Sequence, residues 1–370
     1  MAQVNLPALV STLTLSDPVT LIHMREQAKP KPSFLIDHLM RVAATDIVRT
    51  DTVYIDVKDR RGNKLAPFVA TGHKSIERSG YKTHEIKPAR IAPSRKISLA
   101  DTNTRIWLEG IADPKSQEDR AMEISINDMN DLVEATRNTW ELMIADLIQT
   151  GKYTFTYVKS DKNGEDESDD ATEVDWGKII GEDNWKYTPG KSWGDAAANP
   201  LADLCAMARM MRKQGVMPTT LLVGANVSSA LLQNEKVLKL LDNRRIEIGG
   251  INPRIVEQGG AIIGNLVLDG VNVAVVDYAG EYENASGETK PYIDPDNAVL
   301  VSEGGIRALF AAVTQIENCG ENFVTRFDAM VPKFISDLEN DTYKMMLTSR
   351  PAFAPQVLGT FVCAKAVFTA

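Results

Sequence analysis

Residues 291–301 read PYIDPDNAVLV. Pro295, Asp296 and Asn297 are turn-forming types. Ala298 to Val301 is an unbroken apolar run with the length of a short buried strand. The stretch predicts a tight turn that delivers a strand into the interior. Asp294 and Asp296 flank Pro295 and could form a metal or acid–base pair, or only punctuate the turn. No HExxH or similar ligand spacing accompanies them, which favours the turn.

Upstream of this strand the chain alternates helices and strands. NPLADLCAMARMMRKQG predicts a helix with Asn199 as cap, Pro200 at its first position and Gly215 at its end. A strand is expected at 219–223, a helix over NVSSALLQNEKVLKLLD (226–242), and strands near 266–268 and 271–277. Residues 199–318 thus read as an α/β lobe of one-domain size. Within it, Gly259, Gly260 and Gly264 have the wrong spacing for GxGxxG, and no GxxxxGK[ST] occurs. The three glycines are expected to form a loop before the strand at Leu266.

Residues 115–150 predict one long helix, roughly 50 Å at 1.5 Å per residue. Asp113-Pro114 precedes it, Gln117, Glu118 and Asp119 suit its positive end, and Gly151 terminates it. Ile124, Leu132, Ala135, Met143 and Leu147 recur at roughly helical spacing. Residues 152–178 predict a hairpin turning at Asn163-Gly164. Residues 321–350 return to strand-like alternation and are expected to pair with that hairpin against the long helix. The 199–318 lobe would then be inserted into a domain made from both flanks.

The N-terminal part is less regular. Residues 1–49, broken by Pro7, Pro18, Pro30 and Pro32, read as an extended arm with little core of its own, carrying one short helix over 34–44 capped by Ser33. Residues 50–98 read as a long two-stranded excursion. TDTVYIDVKD alternates, Arg60-Arg61-Gly62-Asn63 turns, and YKTHEIKPARI returns. Isolated hairpins are marginal in water, so this polar one is expected to lean on a partner.

Composition narrows the function. The chain has 370 residues and a net charge of −9, which disfavours a tight grip on a phosphate backbone. It has no apolar run long enough for a membrane span and no secretory start, so synthesis in a cytoplasm is expected. The three cysteines, Cys205, Cys319 and Cys363, lack metal or disulfide spacing and are expected to be reduced and mostly buried. His23, His38, His73 and His84 all precede the long helix, so no Ser/His/Asp or Cys/His scaffold is visible. His73 and His84 are expected at the surface. No catalytic residue, cofactor or metal site is expected.

Charge is segregated. Residues 74–96 carry Lys74, Arg78, Lys82, Lys87, Arg90, Arg95 and Lys96 against Glu77 and Glu85. Residues 161–175 carry Asp161, Glu165, Asp166, Glu167, Asp169, Asp170, Glu173 and Asp175 against Lys162. That acidic run lacks the glycine and distal glutamate of a calcium loop and is expected to be a solvated loop.

This order of parts resembles the major capsid proteins of tailed phages, a fold shared with herpesvirus capsids and encapsulins. Local sequence is similar to the lambda-like branch, the phage capsid protein E family. GKYTFT (151–156) leading to EVDWGK (173–178), YIDPDNAVLV (292–301) and SRPAFAPQ (349–356) carry the likeness, which spans most of 110–365. The resemblance implies an α+β, Hong Kong 97-like fold. Its parts would be an N-terminal arm (1–49), an E-loop (50–98), a P-domain with spine helix and hairpin (99–198), an A-domain (199–318) and P-domain return strands (319–370). It implies that the PDN turn positions a strand.

The resemblance also implies hexamers and pentamers in an icosahedral head enclosing weakly contacted double-stranded DNA, with scaffold, portal and small decoration proteins as partners. Candidate interface residues are Arg60, Arg61, Phe68, Val69, Lys74, Arg78, Lys82 and Arg90 on the excursion. Glu165, Asp166, Glu167, Asp169 and Asp170 on the acidic run are the others. Phe68 and Val69 would anchor the loop tip in a neighbour. The basic and acidic segments would pair between subunits. An encapsulin-like compartment, another virion protein and an enzyme built on the 199–318 lobe are the alternatives.

Overall fold

The computed structural model describes residues 18–28, 31, 33–43, 46–58, 80–103, 116–160, 166–237, 249–255, 260–284, 286–316, 323–337, 341–357 and 359–368. The chain opens with helices α1 (Pro18–Gln27) and α2 (Phe34–Leu39) and strand β1 (Met40–Arg41). A hairpin, β2 (Val53–Lys58) and β3 (Tyr81–Ile86), precedes β4 (Ser94–Ser98), the short α3 (Leu99–Asn103) and the long α4 (Gln117–Thr150). Next come hairpin β5 (Lys152–Ser160) and β6 (Asp166–Asp175), helices α5 (Gly177–Ile180) and α6 (Glu182–Trp185), and β7 (Lys186–Tyr187). Then follow α7 (Pro200–Lys213), β8 (Thr220–Val223), α8 (Ala225–Gln233), β9 (Gly249–Ile255), β10 (Gly260–Leu268) and β11 (Val271–Tyr278). After them run β12 (Glu281–Glu283), β13 (Thr289–Pro291), β14 (Asn297–Val301), β15 (Ile306–Phe310), β16 (Val313–Ile316) and β17 (Phe323–Arg326). The chain closes with β18 (Val331–Asp337), β19 (Thr342–Thr348), β20 (Pro351–Pro355) and β21 (Phe361–Lys365).

The strand delivered by the PDN turn is central. The largest sheet has seven strands in the order β7-β21-β14-β8-β11-β10-β9, and β14 lies inside it between β21 and β8. Both faces of that sheet are covered. Val299 and Val301 join the core around α4, together with Leu222, Val276 and Phe361. Ala298 and Leu300 join a second core with Leu221, Val223 and the α7 residues Leu204, Met207 and Met211. A strand buried on both faces must be apolar at every position, hence the unbroken AVLV. Each fully buried valine or leucine contributes about 1.5–3 kcal/mol.

Helix α4 has 34 residues, as its pattern predicts. The Ser116 hydroxyl accepts the Asp119 amide at 3.1 Å, while Gly151 takes a left-handed φ of 73° and donates its N–H to the Leu147 carbonyl. Met129, Leu132, Val133, Trp140, Ile144, Leu147 and Ile148 form its buried stripe.

Several expectations are corrected. Among the described residues, the strands within 321–350 do not pair with the 152–178 hairpin: β17 pairs with β16, β18-β19-β4 form their own sheet, and β5 and β6 pair with each other alone. Alternation marks a strand and its buried face but does not name its neighbour. Here Ile97 of β4 lies opposite Tyr343, and the buried Met345 and Leu347 of β19 belong to the core around α4. The 199–318 segment does not complete its own sheet, since β7 and β21 come from outside it.

The arm has no separate core and packs into the main one: α1 contributes Leu21, and α2 contributes Phe34, Leu35, Ile36 and Leu39, to the core around α4. Helix α2 stops at Leu39, and Ser33 makes no side-chain cap bond. The chain then turns extended, so that β1 can pair in parallel with β15. Gly260 and Gly264 lie within β10, with a register shift between Ile262 and Gly264, instead of in a loop; Gly259 is outside the described residues. A Cβ on Gly260 would meet Val276 Cγ1 at 2.9 Å and the Phe34 ring at 3.4 Å, so the glycine lets the arm helix approach the sheet. Helix α8 ends at Gln233. The acidic run is strand from Asp166 onward, with Glu167 opposite Lys159 and Asp166 opposite Ser160, and the turn at 161–165 lies outside the described residues.

Candidate functional site

The PDN turn ties three parts of the molecule together. Asp294 Oδ1 accepts the Asp296 amide at 2.9 Å, the local side-chain-to-backbone bond that turns favour. The Pro295 carbonyl receives the amides of Asn226 and Val227 at the start of α8. Asp296 Oδ1 accepts Asn226 Nδ2 at 2.7 Å, and its carbonyl receives the Ala366 and Val367 amides at the end of β21. Gln149, in the last turn of α4, closes the third side. Its Nε2 donates to the Tyr292 carbonyl at 2.8 Å, and its Oε1 accepts the Asp294 amide at 2.8 Å and Asn297 Nδ2 at 3.1 Å. A Cβ on Gly224 would come within 2.3 Å of the Asp294 carbonyl oxygen, so this contact requires glycine. Both aspartate side chains are thus engaged in bonds that hold the turn, and among the described residues no group of three His, Cys, Asp or Glu could hold a metal.

The described histidines sit in local contacts. His38 rests on the Phe34 ring at 4.3 Å, and His23 sits 3.7 Å from Glu26. His84 is not a surface residue: it is half-buried, meets Trp176 edge-on at 5.9 Å and has a buried Nε2 without a partner. His73 and Cys319 lie outside the described residues. Cys363 is buried and Cys205 half-buried, both free. Burial pushes the Cys363 thiol up to about 12, so it is protonated and inert.

What remains is surface. The root of the 50–98 excursion is anchored by its own chain: Val53, Ile55 and Val57 are at most 3% exposed and belong to the core around α4. The expected dependence on a partner therefore does not apply to its base. Its outer face is different, with Tyr54 60% and Tyr81 65% exposed. Arg60, Arg61, Phe68, Val69, Lys74, Arg78 and Glu165 lie outside the described residues. Lys82 pairs in register with Val57, and Arg90 is exposed between β3 and β4. Asp166, Glu167, Asp169 and Asp170 run along β6. Two other basic residues of the segment are already paired within the chain: Arg95 with Asp128 at 3.2 Å and Asp131 at 2.8 Å, and Lys87 with Asp51 at 3.6 Å.

The residues that fasten the arm were not legible in advance. The buried Glu141 accepts the Leu35 amide at 3.2 Å and the Tyr278 hydroxyl. Burial, then the Glu141 carboxylate, raises the Tyr278 pKa, so its hydroxyl remains a donor. Arg25 reaches Asp328 at 2.5 Å, Arg137 reaches Asp37 at 3.1 Å and Arg307 binds the buried Asp46. A glutamate on the apolar stripe of α4 was the available signal.

Docked N-terminal helices, a hairpin excursion, a 34-residue strut and a two-faced sheet form the scaffold, and no metal-holding group occurs among the described residues. The family model of phage major capsid protein E matches residues 17–366. The chain belongs to this family. It is a structural major capsid protein, and membership of the family implies self-assembly into capsid oligomers and a place in the virion. A prophage capsid protein from Escherichia coli CFT073 aligns at TM-score 0.63 and 19% identity, covering 95% of this chain and 99% of that one. A phage-related protein from Bordetella bronchiseptica RB50 aligns at TM-score 0.54 and 11% identity, covering 97% and 100%. An encapsulin from Synechococcus elongatus aligns at TM-score 0.44 and 10% identity, covering 99% and 96%. No curated protein matches significantly. The fold is the α+β, Hong Kong 97-like capsid fold, and no helix among the described residues is long and apolar enough to cross a membrane.

Proposed function

We propose that this capsid protein assembles as hexamers and pentamers into an icosahedral head around double-stranded DNA, with the 50–98 hairpin lying on a neighbouring subunit. The single observation that carries this is the two-sidedness of the hairpin root. One face is fixed in its own core by Val53, Ile55 and Val57, while the other presents Tyr54 and Tyr81 to solvent. Large exposed aromatics on a rigid strand pair are the anchors that interfaces use. In this reading 1–49 is the arm, 50–98 the E-loop, 99–198 with 319–370 the P-domain and 199–318 the A-domain.

Phe68 and Val69 would be the tip anchors. Arg60, Arg61, Lys74, Arg78, Lys82 and Arg90 would face the Glu165–Asp170 run of a neighbour. The net charge of −9 suits a container whose DNA is held weakly. Scaffold, portal and decoration proteins complete the expected set of partners, and synthesis takes place in the host cytoplasm.

The test is negative-stain microscopy and light scattering on the purified full chain. Closed shells or capsomers are expected, and Y54E/Y81E should lower their yield at least tenfold while leaving the circular dichroism unchanged. Undiminished assembly by the double variant would overturn the hairpin's role. A small closed dimer that binds a ligand would overturn the capsid-shell reading of the assembly.

A further inference from the structure

A cavity of about 680 Å³ opens where α4 ends, walled by Gln149 and Thr150, by the hairpin root, by Trp185, Tyr187 and Pro189, and by Asn297, Cys363, Lys365 and Phe368. Its floor is one face of the seven-stranded sheet. In register, Lys186 lies beside Cys363, and Lys365 lies opposite Asn297. Residues two apart share a face, so Lys186, Cys363, Lys365 and Asn297 all face the cavity, while Val362 and Ala364 face the second core. Four lysines line it. Lys152 is paired with Glu173 at 2.7 Å and Lys178 with Asp175 at 2.8 Å. Lys186 and Lys365 have no ion-pair partner among the described residues, and Glu182 is the one lining acid not so engaged. The cavity is thus locally cationic on an acidic chain.

Trp185, 6% exposed, gives the cavity an aromatic wall. A volume of several hundred Å³ with an apolar wall and a few convergent polar groups is the usual form of a small-ligand site.

We propose that this cavity binds a carboxylate attached to an aromatic or aliphatic body, with the carboxylate at Lys186 and Lys365 and the body against Trp185 and Phe368. The carboxylate could belong to a free organic acid or to an acidic side chain of a docking peptide.

The experiment is isothermal titration of the full chain with benzoate, with neutral benzamide, and with the peptide acetyl-Phe-Asp-amide. Saturable binding of benzoate or the peptide at one site per chain is expected at millimolar affinity, as fragments of this size allow. Benzamide should bind at least tenfold more weakly, and K186E and K365E should each weaken the acid at least fivefold. Both lysines are exposed, so both variants should fold. Tighter binding of the peptide would assign the site to a protein segment, and tighter benzoate to a free acid. Absence of saturable binding, equal binding of benzamide, or indifference to both charge reversals would overturn the proposal.

Discussion

Gln149→Ala is the most informative single change, because one side chain links the end of the strut helix to the turn that delivers the central strand. The Gln149 amide makes four hydrogen bonds: to the Ala145 and Tyr292 carbonyls, from the Asp294 amide and from Asn297 Nδ2. Ala145 keeps its helical partner and Asn297 is partly exposed, so neither loss is costly. The Tyr292 carbonyl and the Asp294 amide lose a partner each. A net hydrogen bond is worth about 0.5–1.5 kcal/mol, so the expected loss is about 2 kcal/mol. With an unfolding entropy near 2.1 cal/mol/K per residue, that lowers the melting temperature of this 370-residue chain by about 2–3 °C. Gln149→Glu should be worse than Gln149→Ala, since it sets a carboxylate oxygen against two carbonyls. Differential scanning calorimetry of unassembled protein measures both. A Gln149→Ala shift under 0.5 °C, or a glutamate variant as stable as wild type, would show that the turn stands without the helix.

Other consequences follow from buried polar groups. His84→Phe removes an unpartnered buried nitrogen and keeps a ring against Trp176; the melting temperature should rise by about 1 °C, and a fall would mean that the imidazole has a partner. Tyr278→Phe strips one donor from the buried Glu141. It should cost about 1–3 kcal/mol and speed proteolysis within residues 18–39, whereas an unchanged digestion pattern would separate Glu141 from arm docking. Burial raises the Asp146 carboxyl from 3.8 to about 6, so between those values the folded chain binds more protons than the unfolded chain. Stability should therefore decline as pH rises from about 4 to about 6. Asp146→Asn should flatten that segment of the profile, and a matching slope in both proteins would refute the assignment.

Local signals carried far into this molecule. The strut helix from Ser116 to Gly151, the PDN turn, the strand AVLV and the hairpin after Gly151 were all legible, because each depends on capping, turn chemistry or periodicity within a few residues. The turn formed by Asp294 and Asp296 was legible too, from Pro295 and Asn297 beside them. Strand partnership was not: β19 beside β4, and β21 beside β14, join segments far apart in sequence, and alternation carries no address. The fastening of the arm was hidden for the same reason, since the partners of Glu141, Tyr278 and Leu35, stand 137 and 106 residues away from it.

The sequence by itself determined the strut helix, the turn and strand at 295–301, the acidic balance and the likeness to a capsid family. Only the tertiary structure decided that the central sheet takes strands from both flanks of the 199–318 segment. It also decided that the arm helices belong to the main core and that two lysines at the foot of the strut have no ion-pair partner among the described residues. Local propensity acts through neighbours along the chain, while sheet order and charge compensation depend on which buried faces meet after the chain has folded.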